Sequence, residues 1–137
     1  MALITWTDEF SVGVAELDEQ HKKLIAIINE LFILYSEKKF EKIDVEPIFH
    51  ALLDYCDQHL ATEEYYFNLY NYPKKDQHIE MHNNYRTKIA ELKVGYDQEN
   101  SEKTLFAINE FLNEWWVWHI NNVDKEYTAY FNANGLK

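Results

Sequence analysis

The sequence predicts an all-α fold, an up-down-up-down antiparallel four-helix bundle preceded by an extended N-terminal arm. Three observations point there. Aromatic residues make up 16% of the 137-residue chain while only three Gly and two Pro interrupt it, a balance that suits long helices better than many short strands. Four long segments carry apolar residues at alternating steps of three and four, the period of a helix with one buried face. The connections between them are short, which makes consecutive helices antiparallel neighbours. A hydrophobic content of 47% fills one core, and no repeat, low-complexity stretch or flexible linker divides residues 1–137, so they read as a single domain.

Residues 1–17 read as the arm, because Ile4-Thr5-Trp6 and Ser11-Val12-Gly13-Val14 carry β-branched residues and a Gly without helical period. Trp6 and Phe10 are expected to pin it to the bundle, which occupies residues 18–131. The first helix, Asp18 to Lys38, has the stripe Leu17, His21, Leu24, Ile28, Leu31 and Tyr35. The second starts at Asp44-Val45-Glu46-Pro47, where an Asp can cap and a Pro suits a first turn, and runs to Leu69 with the stripe Ile48, Leu52, Tyr55, His59, Glu63 and Tyr66. The third, from Asp76 to Tyr96, carries His78, His82, Tyr85, Ile89, Leu92 and Tyr96. Ser101 caps the fourth, whose stripe Leu105, Ile108, Leu112, Trp115, His119 and Val123 continues toward Phe131.

Thirteen basic against twenty-four acidic residues give a net charge of -11, which repels nucleic acid phosphates and anionic lipid surfaces. Cys56 is the only cysteine, so neither an internal disulfide nor a thiolate zinc cage can form, and a reducing cytoplasm fits. Its place in a helical pattern makes it a small packing residue. Met1 to Asp8 shows no secretory signal, and no apolar run approaches membrane-spanning length, so a cytoplasmic location is expected.

Five of the six histidines, His21, His59, His78, His82 and His119, fall on the apolar stripes. One histidine on such a face is ordinarily a core residue with a satisfied hydrogen bond. Five imidazoles and two carboxylates buried together would cost several kcal/mol for each charged group left without a strong partner. A metal is a partner common to all. His59 and Glu63, like His78 and His82, are four apart and share a helix face. His50, nine before His59, is half a turn out of phase and points away, and Glu64 reads as a surface neighbour of Glu63. Asp124 follows His119 by five, about 140° around a helix, which asks for a local widening of the helix or a carboxylate reaching sideways between two metals. Counting donors favours two ions. Two bridging carboxylates, five imidazoles and one shared oxide or hydroxide fill eleven of about twelve octahedral positions and leave one open. Without thiolates, this donor set favours iron, with manganese behind it.

On these residues the chain resembles the hemerythrin family, specifically its bacterial single-domain members. The matching features are His21 within Leu17-Asp18-Glu19-Gln20-His21, the pairs His59/Glu63, His78/His82 and His119/Asp124, and the arm's Trp6 and Ser11-Val12-Gly13-Val14, spanning residues 4 to 131. The resemblance implies two iron ions with an oxo or hydroxo bridge: His78, His82 and His119 on one, His21 and His59 on the other, and Glu63 and Asp124 across both. It further implies a monomer that binds dioxygen reversibly at the two-histidine iron, for storage, transport or delivery to an oxygen-consuming enzyme. By this reading the protein is a carrier and not an enzyme, and no residue is catalytic. Reversibility needs a dry pocket, and Leu24, Leu60, Trp115, Trp116 and Ile120 are the bulky neighbours of the ligands that would line it. The family commonly has Trp then Leu ahead of its last histidine, whereas this chain has Trp115-Trp116 and a further Trp118. Two alternatives stay open: an oxygen or redox sensor, and a di-iron oxidase or peroxidase-type enzyme.

Overall fold

The computed structural model describes residues 3–137; Met1 and Ala2, the first two residues of the expected arm, lie outside them. Helices α1 (Ala15–Ser36), α2 (Lys42–Leu69), α3 (Lys75–Gln98) and α4 (Glu102–Asn122) form the bundle. A 3-10 turn at Asp124–Tyr127 then leads into a short α5, Thr128–Ala133. Each long helix packs on the next and α1 closes the ring against α4, so the four enclose one core. No helix among the described residues is long and apolar enough to cross a membrane.

The stripes of α1 and α3 go inside largely as expected: Leu17, His21, Leu24, Ile28 and Leu31 are buried on one, His78, His82, Tyr85, Ile89 and Tyr96 on the other. In α2, Leu52, His59 and Glu63 are buried as expected, but at the other three stripe positions the buried residue is the next one along. Phe49, Cys56 and Phe67 are enclosed, while Ile48, Tyr55 and Tyr66 sit half-buried at the margin. The tyrosine hydroxyl explains part of this, since Tyr66 donates to Glu16 Oε2 at 2.5 Å near the surface, whereas Phe67 has no polar atom to keep wet. Lys23 covers the Tyr55 ring, with its ammonium 4.8 Å from the centroid. In α4, Trp116 and not Trp115 is fully enclosed.

Helix ends depart from expectation in three places. α1 begins at Ala15, so the last three residues of the expected arm, 15–17, are already helical. α2 begins at Lys42, so Pro47 lies inside it instead of in the first turn. The missing Pro47 N–H costs the Ile43 carbonyl its helical bond, and Ile43, 82% exposed, sits where water can replace it. α4 stops at Asn122 and does not continue to Phe131. Ser101 does cap α4, in a capping box: Ser101 Oγ accepts from the Thr104 N–H and Thr104 Oγ1 from the Ser101 N–H. The turns after α1 and α2 each place one residue in the left-handed region, Lys38 and Asn71. The next amide then reaches back five residues, Lys39 to the Leu34 carbonyl and Tyr72 to that of Phe67, both at 2.9 Å.

The arm contains a 3-10 turn at Asp8–Phe10 and is bonded at both ends. Ile4 exchanges two hydrogen bonds with the Asn29 side chain of α1. Farther along, Asp18 accepts from Ser11 Oγ at 2.6 Å and from the Val12 N–H at 2.8 Å. Thr128 and Asn132 of α5 donate to the carbonyls of Val12 and Gly13. The Ser11-Val12-Gly13 segment thus stitches the first helix to the last. Gly13 has φ +72°, and a Cβ there would stand 2.5 Å from Thr128 Cγ2.

Candidate metal centre

Each long helix contributes at one level of the bundle: His21 from α1, His59 and Glu63 from α2, His78 and His82 from α3, His119 from α4, with Asp124 from the turn that follows. All seven are buried, and only His78 retains any exposure, 3%. They form two groups, His78/His82/His119/Asp124 and His21/His59/Glu63/Asp124, each with donor atoms within 4.8 Å of one another. Asp124 belongs to both. Its Oδ1 lies 2.9 Å from His78 Nε2 and 3.0 Å from His119 Nε2, and its Oδ2 lies 3.1 Å from His21 Nε2. Glu63 Oε1 stands 3.0 Å from His59 Nε2 and 3.6 Å from His82 Nε2, again between the groups.

The awkward five-residue step from His119 is resolved by tightening, not by the widening considered from sequence. α4 ends and the chain winds into a 3-10 turn, which carries the Asp124 carboxylate between the four helices. His50 is exposed, consistent with its phase.

The chemistry of these atoms fits a cation. His59 Nε2, His82 Nε2, both nitrogens of His21, and all four oxygens of Glu63 and Asp124 are buried without a hydrogen-bond partner, although they approach one another closely. His78 Nε2 and His119 Nε2 lie 3.1 Å apart. Two neutral imidazoles cannot both direct lone pairs across that gap unless a proton or a cation lies between them. Either group could hold a divalent ion, which would relieve the cost of burying unpaired polar atoms. Burial pushes the Glu63 carboxyl up and Asp124 adds to that, but His59 and His82 outweigh both and hold it below the usual range. Asp124 is likewise raised by burial and driven well below its ordinary value by His119, His21 and His78. Both are therefore ionised at neutral pH.

Behind this centre lie residues to which the sequence reading gave no role. Gln20 Oε1 accepts from His59 Nδ1 at 2.6 Å, and Glu64 Oε2 from His82 Nδ1 at 2.8 Å, which leaves each Nε2 lone pair facing inward. Glu64 is thus not the free surface neighbour expected. One step beyond Glu63 turns it toward α3, where Arg86 clamps both its oxygens at 3.0 and 3.3 Å. Arg86 sits four residues after His82, so the α3 pattern offered a hint. Phe67 and Tyr127 wall the three-histidine group, with ring centroids 4.6 and 5.9 Å from His78. No spacing rule could have found them.

The residues expected around a pocket separate into two sets. Leu24, Leu60, Trp116 and Ile120 are fully buried, and the Trp116 ring lies 5.8 Å from that of His59. Trp115 is half-buried and stacks face to face on His119, 4.2 Å between centroids. Trp116 Nε1 donates to Tyr85 Oη, which donates to Cys56 Sγ at 3.2 Å, so the polar atoms of this wall are partnered. Burial pushes the Cys56 thiol up to about 12 and makes it unreactive.

A family model described as the Hemerythrin HHE cation binding domain matches residues 12–131. The chain belongs to the hemerythrin family. The hemerythrin match runs from the stitched arm to Phe131 of α5 and so contains all seven convergent residues. A bacteriohemerythrin of Stenotrophomonas maltophilia is 25% identical over 134 residues, covering 98% of this chain and 85% of that protein. One of Clostridium acetobutylicum is 28% identical over 127 residues, covering 91% and 98%. A hemerythrin-like protein of Naegleria gruberi is 33% identical over 122 residues, covering 89% and 88%. Among solved structures, a wild-type hemerythrin crystal structure superposes with a TM-score of 0.82 at 27% identity, covering 93% of this chain and 97% of that one.

Proposed function

We propose that this chain binds dioxygen reversibly at a di-iron centre held by His21, His59, Glu63, His78, His82, His119 and Asp124, and that it acts as a carrier. The observation that carries this reading is the pair of histidine-rich groups joined by one shared carboxylate, Asp124, with Glu63 also between them. Membership of the hemerythrin family supports the same reading. A pair of ferrous ions bound there supplies two electrons and a position for dioxygen. The chain supplies the rest. Gln20 and Glu64 fix the inward-facing nitrogens of His59 and His82. Leu24, Leu60, Trp116 and Ile120 keep water and stray protons away from the two-histidine side, as reversible binding requires. Tyr127, buried beside the carboxylates, has its phenol pushed well above the ordinary value and keeps its proton. The reading extends to a cytoplasmic monomer that stores oxygen or passes it to an oxygen-consuming enzyme.

The test is anaerobic loading with ferrous iron followed by repeated cycles of oxygen and vacuum in an optical cell. A visible band that appears with oxygen and disappears under vacuum over many cycles is expected, with two irons bound per chain. Fewer than two irons, or a colour change that vacuum does not reverse, overturns the carrier reading.

A further inference from the structure

Six of the seven convergent residues expose nothing to solvent, so an ion bound among them needs a route through the wall. His78 is the exception. It lines a surface cleft of about 170 Å³ together with Lys74, Gln77, Met81, Val123 and Glu126. Tyr72, whose buried hydroxyl has no hydrogen-bond partner, lines the same cleft. The larger groove between α2 and α3, beside Cys56, touches none of the seven.

We infer that this cleft is the port through which divalent metal reaches the centre, with Glu126 as the carboxylate that receives the ion and His78 as the first ligand it meets. The inference rests on the metal reading of the site. Three features of the cleft support it. Its lining offers carboxylate, amide, thioether and imidazole donors, and one of them, His78, belongs to the three-histidine group. Part of its wall is the break between α4 and α5: Val123 precedes Asp124, and Glu126 follows it within a 3-10 turn that has no side-chain cap, and such a segment opens more cheaply than a continuous helix. Two of its lining residues form an exposed ion pair, Lys74 Nζ to Glu126 Oε2 at 3.0 Å. An exposed pair of this kind holds Glu126 only weakly, so an arriving cation can displace the ammonium. Lys74 repels that cation and Glu126 attracts it. The net charge of -11 draws cations to the surface in general, and the cleft leads from that surface to His78.

The opposed signs of Lys74 and Glu126 make the test specific. Metal-free protein is mixed with cobalt(II) in a stopped-flow instrument, the visible absorbance of the bound ion is followed, and final cobalt content is measured separately. Lys74→Met should load several-fold faster than the parent and Glu126→Gln several-fold slower, all reaching the same final content. Lys103→Met is the control: it changes net charge by the same amount on the first turn of α4, about 30 Å along the axis from Val123. Equal loading rates for Lys74→Met and Lys103→Met, with Glu126→Gln unchanged, would overturn the port while leaving the metal centre standing. A parent protein that binds no cobalt at equilibrium would overturn the metal reading itself and the port with it.

Discussion

His82 is held from behind by a carboxylate that is itself held: Arg86 clamps Glu64, and Glu64 accepts from His82 Nδ1. Burial raises the Glu64 carboxyl, but His82 and Arg86 prevail and keep it ionised. Glu64→Ala removes that acceptor and frees the imidazole to turn or to change tautomer. Metal affinity measured by chelator competition should fall about 10- to 100-fold, and an unchanged affinity would show that His82 needs no such support. Residues like Glu64 mark the limit of what was legible at this scale. His59 with Glu63, and His78 with His82, announce themselves because both members lie on one helix four residues apart. Gln20, Phe67 and Tyr127 act across the gap between helices or turns, where spacing along one element carries no information.

At the scale of elements, the arm is the part whose effect on stability is most exposed to a single change. Gly13→Ala meets two penalties, a left-handed φ and a Cβ 2.5 Å from Thr128 Cγ2. A loss of about 1–3 kcal/mol in unfolding free energy is expected by urea titration. Adding Thr128→Ser removes the obstructing methyl while keeping the hydroxyl that bonds the Val12 carbonyl, and should recover part of the loss. Full additivity of the two changes would show that the clash is not what Gly13 avoids. The elements were largely readable because α1 and α3 keep one apolar face along their length. Two errors have physical causes. Tyrosines lie at the edge of α2 because their hydroxyls seek water, which rotates the true core face onto Phe49, Cys56 and Phe67. Residues 123–131 carry a helix-like pattern, and only the need to swing Asp124 between the helices distinguishes the 3-10 turn there.

Across the whole molecule, the centre couples folding to both pH and metal. Glu63 and Asp124 have ordinary values of 4.5 and 3.8 and are depressed in the folded chain. Depressed acids contribute stability that is present above their ordinary values and lost as pH falls through the folded ones. His78 is raised and His82 lowered, so their contributions oppose each other near neutrality. The urea midpoint of metal-free protein should therefore drop as pH falls below about 4, and a flat profile there would contradict the assigned ionisation. Loaded protein should lose metal at milder acidity, because imidazole ligates only when neutral. Metal at 100 times its Kd adds about 2.7 kcal/mol, a rise of roughly 9 °C in Tm for a chain of this length, measurable by calorimetry with and without chelator.

The tryptophans add an optical consequence. Trp115 lies face to face with His119, and Trp116 is within ring contact of His59, whereas Trp118 is 53% exposed. A transition-metal ion ligated by those imidazoles would drain the excited states of the two neighbouring indoles far more than that of Trp118. The blue emission of enclosed Trp116 and the emission of Trp115 should dim on loading, while the red emission of Trp118 and that of Trp6, stacked on Phe10 in the arm, persist. Occupancy of the centre would then be readable, without any added dye, as the ratio of two colours of light from one chain.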